Sequence, residues 1–221
     1  MTWRQTHVWS AFDARSAIPL SDVRFLSRLP LRVHDDERER IMGKDSLQKF
    51  IEAVSRTWGP LTSELVARSR DEIEQLLEAP AVEPWLAALH MDAPESRELH
   101  RDKGHDFLLL AHCEKTGLYR PPHDHGRGWV IYAVQRGEME MVTYRRMHDL
   151  HGTAYLVKRE SFVLRAGHVR VFLPGDIHDT RCSAGPLTLF RFTSLDFKKE
   201  DVTRYPEPSR TAGTAPGRKA R

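Results

Sequence analysis

From Asp45 onward the apolar residues recur at helical spacing. Leu47, Phe50, Ile51, Val54 and Trp58 stand at i, i+3, i+4, i+7 and i+11, a single stripe down one side of an α-helix. Gly59-Pro60 ends that helix. Leu65, Val66, Ile73, Leu76 and Leu77 continue the period, and Val82, Trp85, Leu86 and Leu89 form another short apolar face. After Asp92-Ala93-Pro94 the texture becomes that of strands. Segments 106–113, 129–135, 155–158, 161–165, 169–173 and 187–193 are apolar or rich in β-branched and aromatic residues, and Met139, Met141 and Thr143 alternate with Glu138, Glu140 and Val142. Gly137, Gly152, Gly167, Gly175 and Gly185-Pro186 punctuate these runs. Roughly eight short strands with turn residues at regular intervals predict a mainly β protein, a closed antiparallel barrel or jelly roll behind a helical N-terminal segment.

Domain bounds follow from this pattern: a helical segment over 1–95 packed on the barrel, the barrel over 96–200, and a tail over 201–221. Before the first helix, Trp3 and Trp9 point to some packing, while 34–40 reads as a solvated charge run. The formal charge of +3 suggests nucleic acid at first sight. Yet Arg210, Arg218, Lys219 and Arg221 supply four positive charges after Pro208 with no acid among them, which leaves the body at −1. Basicity therefore belongs to a Pro/Gly/Thr-rich tail expected to be disordered, and no nucleic-acid partner is expected. Two cysteines, Cys113 and Cys182, make neither a disulfide framework nor a zinc ribbon. They read as small buried hydrophobes. With no run of about 18 apolar residues and no charged-then-apolar leader, the expectation is a cytoplasmic protein without a membrane partner.

The candidate chemistry lies in Tyr119-Arg120-Pro121-Pro122-His123-Asp124-His125-Gly126-Arg127-Gly128-Trp129 and in Leu173-Pro174-Gly175-Asp176-Ile177-His178. Side chains at i and i+2 of a strand share a face, so His123 and His125 can reach one ion, with His178 from a later strand as a third imidazole. Proline before the pair and glycine after it mark a strand entering and leaving a rim loop. His112, His148, His151 and His168 read as ordinary core or surface histidines.

Gly117, His123, His125 and Gly137, then Gly167, Pro174, Gly175 and His178, resemble the two motifs of the cupin superfamily, whose fold is a double-stranded β-helix or jelly-roll barrel. The likeness is closest to bacterial cysteine dioxygenase-like thiol dioxygenases, through Pro-x-His-Asp-His-Gly-x-x-Trp and, upstream, Arg97-Glu98-Leu99-His100-Arg101-Asp102 followed by 107–110; it covers about residues 85–195. The resemblance implies that His123, His125 and His178 hold Fe(II), with Zn, Ni or Mn also suited to such donors. It implies that Arg97, or Arg101 in a shifted register, clamps a substrate carboxylate. Most cupins carry a Glu after the His pair; here that place falls at Trp129 or Val130. The family's Ser-x-His-x-Tyr relay falls at Thr188, Phe190 and Phe192, and Val130 stands where animal members carry a crosslinking Cys. Tyr119 and Arg127 are the candidates to replace the relay, and Trp129 and Tyr132 also lie near the ion by sequence.

Three neutral imidazoles leave the full 2+ charge on the ion, so an anionic ligand such as a thiolate is favoured, and the ion lowers the thiol pKa that supplies it. The expected activity is an Fe(II)-dependent, O2-consuming oxidation of a small anionic thiol acid, of the cysteine or 3-mercaptopropionate type, to a sulfinate. Two other readings stay open. One is a three-His dioxygenase that cleaves a carbon–carbon bond in a non-thiol substrate. The other is a non-catalytic Zn-binding sensor.

Overall fold

A computed structural model describes residues 43–206. The expectations for Trp3, Trp9 and the 34–40 charge run, and for the tail beyond 206, lie outside the described residues. Among the described residues three helices come first: α1 (Ser46–Thr57), α2 (Ser63–Leu77) and α3 (Pro84–Asp92). Asp45 starts α1 with a capping box, its carboxylate accepting from the Gln48 amide at 2.8 Å. This satisfies an amide that the first turn leaves without a partner. Thr62 does the same for α2 through the Leu65 amide at 3.1 Å. The predicted stripe is the buried face of α1, with Phe50 and Val54 inaccessible.

Seven strands follow: β1 (Arg97–Arg101), β2 (Leu108–Glu114), β3 (Tyr119–His123), β4 (Val130–His148), β5 (Ala154–Arg165), β6 (Val169–Phe172) and β7 (Ile177–Thr193). They form one antiparallel sheet in the order β1-β2-β7-β4-β5, with β3 on β7 and β6 on β4. This is the expected mainly β, antiparallel architecture with helices on its N-terminal side. Two runs either side of Gly137 are one continuous strand, as are those on either side of residues 159–160. Gly137 is a bulge rather than a strand end: its φ is +83°, and a Cβ there would meet the Ala184 carbonyl oxygen at 2.7 Å. Only glycine accommodates both the left-handed backbone and that approach.

Period-two alternation along β2, β4 and β7 splits the core in two. Leu109, Ala111, Trp129, Ile131, Ala133, Phe190 and Phe192 pack outward with the helices. Val130, Tyr132, Val134, Leu187 and Leu189 pack inside the barrel. Residues 201–206 do not separate from the barrel as the predicted boundary at 200 implies. The Tyr205 amide donates to the Pro122 carbonyl at 2.8 Å and the Asp124 amide to that of Thr203 at 3.1 Å. Among the described residues no helix is long and apolar enough to cross a membrane.

Candidate metal centre

His178, the second residue of β7, is the ladder partner of His123, the last residue of β3. His125 stands past the end of β3, in the loop to β4, and not on the strand as its spacing predicts. Asp124 holds that loop. Its carboxylate accepts from the Gly126 amide at 2.9 Å and the Tyr205 hydroxyl at 2.7 Å, so Asp124 turns toward the C-terminal segment while the flanking imidazoles turn inward. The three rings converge: one nitrogen of each of His123, His125 and His178 lies within 4.8 Å of the others, and ring centroids are 5.0, 4.7 and 5.2 Å apart. Aromatic walls fix two of them. Phe172 stacks on His178 at 3.9 Å and Phe197 on His125 at 4.5 Å.

The donor set suits a divalent transition ion. His123 Nδ1 lies 2.8 Å from the Pro121 carbonyl oxygen. A carbonyl only accepts, so the proton is on Nδ1 and the lone pair on Nε2, the tautomer that a metal ligand needs. Burial pushes all three imidazoles below their ordinary pKa: His125 to about 3, with the His123 charge adding to the effect, His123 in the same direction, and His178 well below, helped by its two neighbours. They are neutral donors at physiological pH, with no proton to displace. Nδ1 of His125 and of His178 are buried without a hydrogen-bond partner, and no carboxylate belongs to the cluster.

Tyr132 completes the wall. Its side chain is buried, and its hydroxyl oxygen lies 3.3 Å from His125 Nε2 and 3.4 Å from His178 Nε2. Burial raises the phenol pKa, with the charge of Arg191 opposing it. Arg191 is the direct ladder partner of Tyr132 across β4 and β7. It forms no ion pair among the described residues, and its Nε is buried with no hydrogen-bond partner. A cavity of about 870 Å³ opens onto His123 and His125 and has Arg101, Arg120, Arg191 and Thr193 on its walls. Arg101 is neutralised by Glu98 and Asp196, both at 2.7–2.8 Å, and Arg120 by the buried Glu114 at 2.5 Å. Arg191, beside the Tyr132 hydroxyl, is a part-buried guanidinium on this wall without an ion pair among the described residues; Lys198 and Arg204 bring further positive charge to the same cavity.

Of the other site residues expected from the sequence, Arg101 reaches the cavity wall, whereas Arg97, Arg127 and Tyr119 lie elsewhere. Arg97 pairs with Asp92 of α3 at 2.8 Å and is not among the cavity-lining residues. The cause is strand alternation interrupted by a bulge: Leu99, two residues on, packs against the helix-side core, whereas the register shift between Glu98 and His100 puts Arg101 on the cavity side with Glu98. Arg127 is 79% exposed and pairs with Glu200 at 2.8 Å. Tyr119 donates to Asp179 at 3.3 Å and lies under the Arg181 guanidinium. Neither is brought to the imidazoles. Phe190 and Phe192, at the relay positions, point to the helices, and the side chains that β7 turns toward the cavity at that level are Arg191 and Thr193. An arginine alone in the run Leu187-Thr188-Leu189-Phe190-Arg191-Phe192 is the signal by which the sequence marks it, because a buried strand rarely carries an unpaired charge. Of the other histidines, His148, His151 and His168 are exposed, whereas His112 is buried inside the barrel and its pKa falls to about 3 through burial and the charge of Arg191. Burial likewise raises both cysteine thiols, so they are not poised nucleophiles.

No family model and no curated protein match this sequence. Solved structures do. Among them are the cupin domain of Cnp3 from Schizosaccharomyces pombe, with 10% identity over 44% of this chain and 57% of that one and a TM-score of 0.35; KdgF from a Halomonas species, with 16% identity over 48% and 83% and a TM-score of 0.36; and a cupin superfamily protein of Desulfitobacterium hafniense, with 16% identity over 46% and 76% and a TM-score of 0.33. The chain thus spans 57% of the first of these structures.

Proposed function

We propose that the chain is an Fe(II)-dependent dioxygenase that oxidises a small thiol acid to a sulfinate. The observation that carries this reading is a cluster of three neutral imidazoles, without a carboxylate among them, two of which, His123 and His125, line a cavity that also holds the Arg191 guanidinium, which has no ion pair among the described residues. His123, His125 and His178 hold the ion. Bound iron supplies a dication that favours a thiolate ligand and the redox capacity to activate dioxygen. The net change is R–SH + O2 → R–SO2H, in which both oxygen atoms end on sulfur and the substrate is the only reductant.

The protein's own residues bind, orient and exclude water. Arg191 takes the part expected of Arg97: a planar fork of donors matches a carboxylate, and its desolvated setting strengthens the contact. Phe172 and Phe197 hold two of the imidazole rings in plane by stacking and keep water from that side. Arg127 and Tyr119 are tied to Glu200 and Asp179 and act as supports of the rim.

Iron-loaded protein in an oxygen-electrode cell tests the reading with cysteine, 3-mercaptopropionate and mercaptosuccinate. Oxygen uptake with one of them, matched by a product heavier by two oxygen atoms, is the expected result. Uptake with a β-diketone and with no thiol identifies the carbon–carbon cleaving enzyme instead. Tight zinc with no turnover of any substrate identifies the sensor.

A further inference from the structure

We infer that the phenol oxygen of Tyr132 is a fourth protein donor to the ion held by His123, His125 and His178, an inference that rests on the metal centre proposed above. The buried hydroxyl faces two imidazoles at once, 3.3 Å from His125 Nε2 and 3.4 Å from His178 Nε2. Once those nitrogens turn their lone pairs to an ion, neither is left to accept from the hydroxyl. A buried hydroxyl stripped of its partner costs about 1–3 kcal/mol, unless the oxygen follows the nitrogens onto the ion.

The distances favour that outcome. Donors about 2.0–2.1 Å from a tetrahedral ion stand about 3.3–3.4 Å from one another, which is the separation that the oxygen keeps from both nitrogens. Tyr132 is two residues past Val130, so both side chains share the inner face of β4. Arg191, its ladder partner, puts a guanidinium beside it, and a cation suits an oxygen that becomes anionic as it binds. Binding releases the phenol proton to solvent and changes no oxidation state. The resulting phenolate cancels one unit of the ion's charge and leaves one to attract an anionic ligand.

The test is optical. Protein loaded anaerobically with Fe(II) and then oxidised to Fe(III) is expected to show a visible phenolate-to-iron(III) charge-transfer band and the resonance-enhanced ring vibrations of a bound tyrosinate. Tyr132→Phe is expected to lose both and to bind iron about 10- to 100-fold more weakly. Tyr155→Phe, which alters a half-exposed ring on β5, is expected to keep both. The unaltered protein decides the matter even if Tyr132→Phe fails to fold: one bound iron per chain without the band overturns this inference alone. No bound iron overturns the metal centre and this inference together.

Discussion

Replacing His178 by alanine separates a metal ligand from a core histidine. In the ion-free protein the imidazole is fully buried, stacked on Phe172, and has its Nδ1 without a partner. Its removal costs packing but also removes a desolvated polar group, so the expected loss is about 1–3 kcal/mol. The ion-loaded protein loses more. Apparent binding of about 10–16 kcal/mol by four-ligand structural zinc sites apportions to about 2.5–4 kcal/mol per ligand, or a Kd weaker by about 100- to 1,000-fold. At a zinc concentration about 1,000 times the Kd of the unaltered protein, bound metal stabilises that protein by about 4.1 kcal/mol and the variant by only about 0.4–1.4 kcal/mol. For a chain of this size about 1 kcal/mol moves Tm by about 2–4 °C, giving a zinc-induced rise of about 8–16 °C against about 1–6 °C. Thermal melts of both proteins with and without zinc measure these shifts. If the variant rises as far as the unaltered protein, His178 is not a ligand and the triad reasoning is wrong.

Arg191→Met is expected to lower kcat/KM for a thiol carboxylate by about 10- to 150-fold, the worth of a charged hydrogen bond of about 1.5–3 kcal/mol; an equal fall for the corresponding thiol amide would contradict its role as carboxylate partner. His112 has a folded pKa of about 3 against 6.5 when exposed, so the unfolded chain takes up a proton that the folded one refuses as pH drops. Its contribution is intact above pH 6.5 and is lost on descent toward pH 3 by about 1.4 kcal/mol per unit; ion-free His112→Leu is expected to show a flatter urea midpoint between about pH 6 and 4, and an unchanged slope would refute this. Gly137→Ala places a Cβ against backbone at 2.7 Å with φ at +83°. A loss of at least about 2 kcal/mol is expected, read as a Tm lower by about 4–8 °C; an unchanged Tm would refute the close packing of the bulge.

Periodicity carries much of the fold. The Leu47 to Trp58 stripe is the buried face of α1, and alternation in β4 marks which residues enter the barrel. Glycine misleads at Gly137 because a turn and a bulge both demand a positive φ, and only the neighbouring strand distinguishes them. His123, His125 and His178 are legible because His-x-His and a later Pro-Gly-Asp-Ile-His segment combine donor type with spacing. That β3 ends before His125 is not legible, since it depends on Asp124 bonding to Tyr205 some eighty residues away. Arg97 and Arg191 illustrate the same limit. Both are arginines on strands, and which one enters the cavity depends on the side each strand turns to the helices, a property of tertiary packing. Tyr132 lies within the segment that the sequence singles out, yet its place between two imidazoles arises from the pairing of β4 with β7.

X-ray absorption on metal-loaded protein, with the ion counted independently, tests the central claim most directly. One ion per chain, with the outer-shell ring scattering of three imidazoles, is the result expected from the convergence of His123, His125 and His178. An ion bound by fewer than three imidazoles, or none bound at stoichiometric amount, contradicts it.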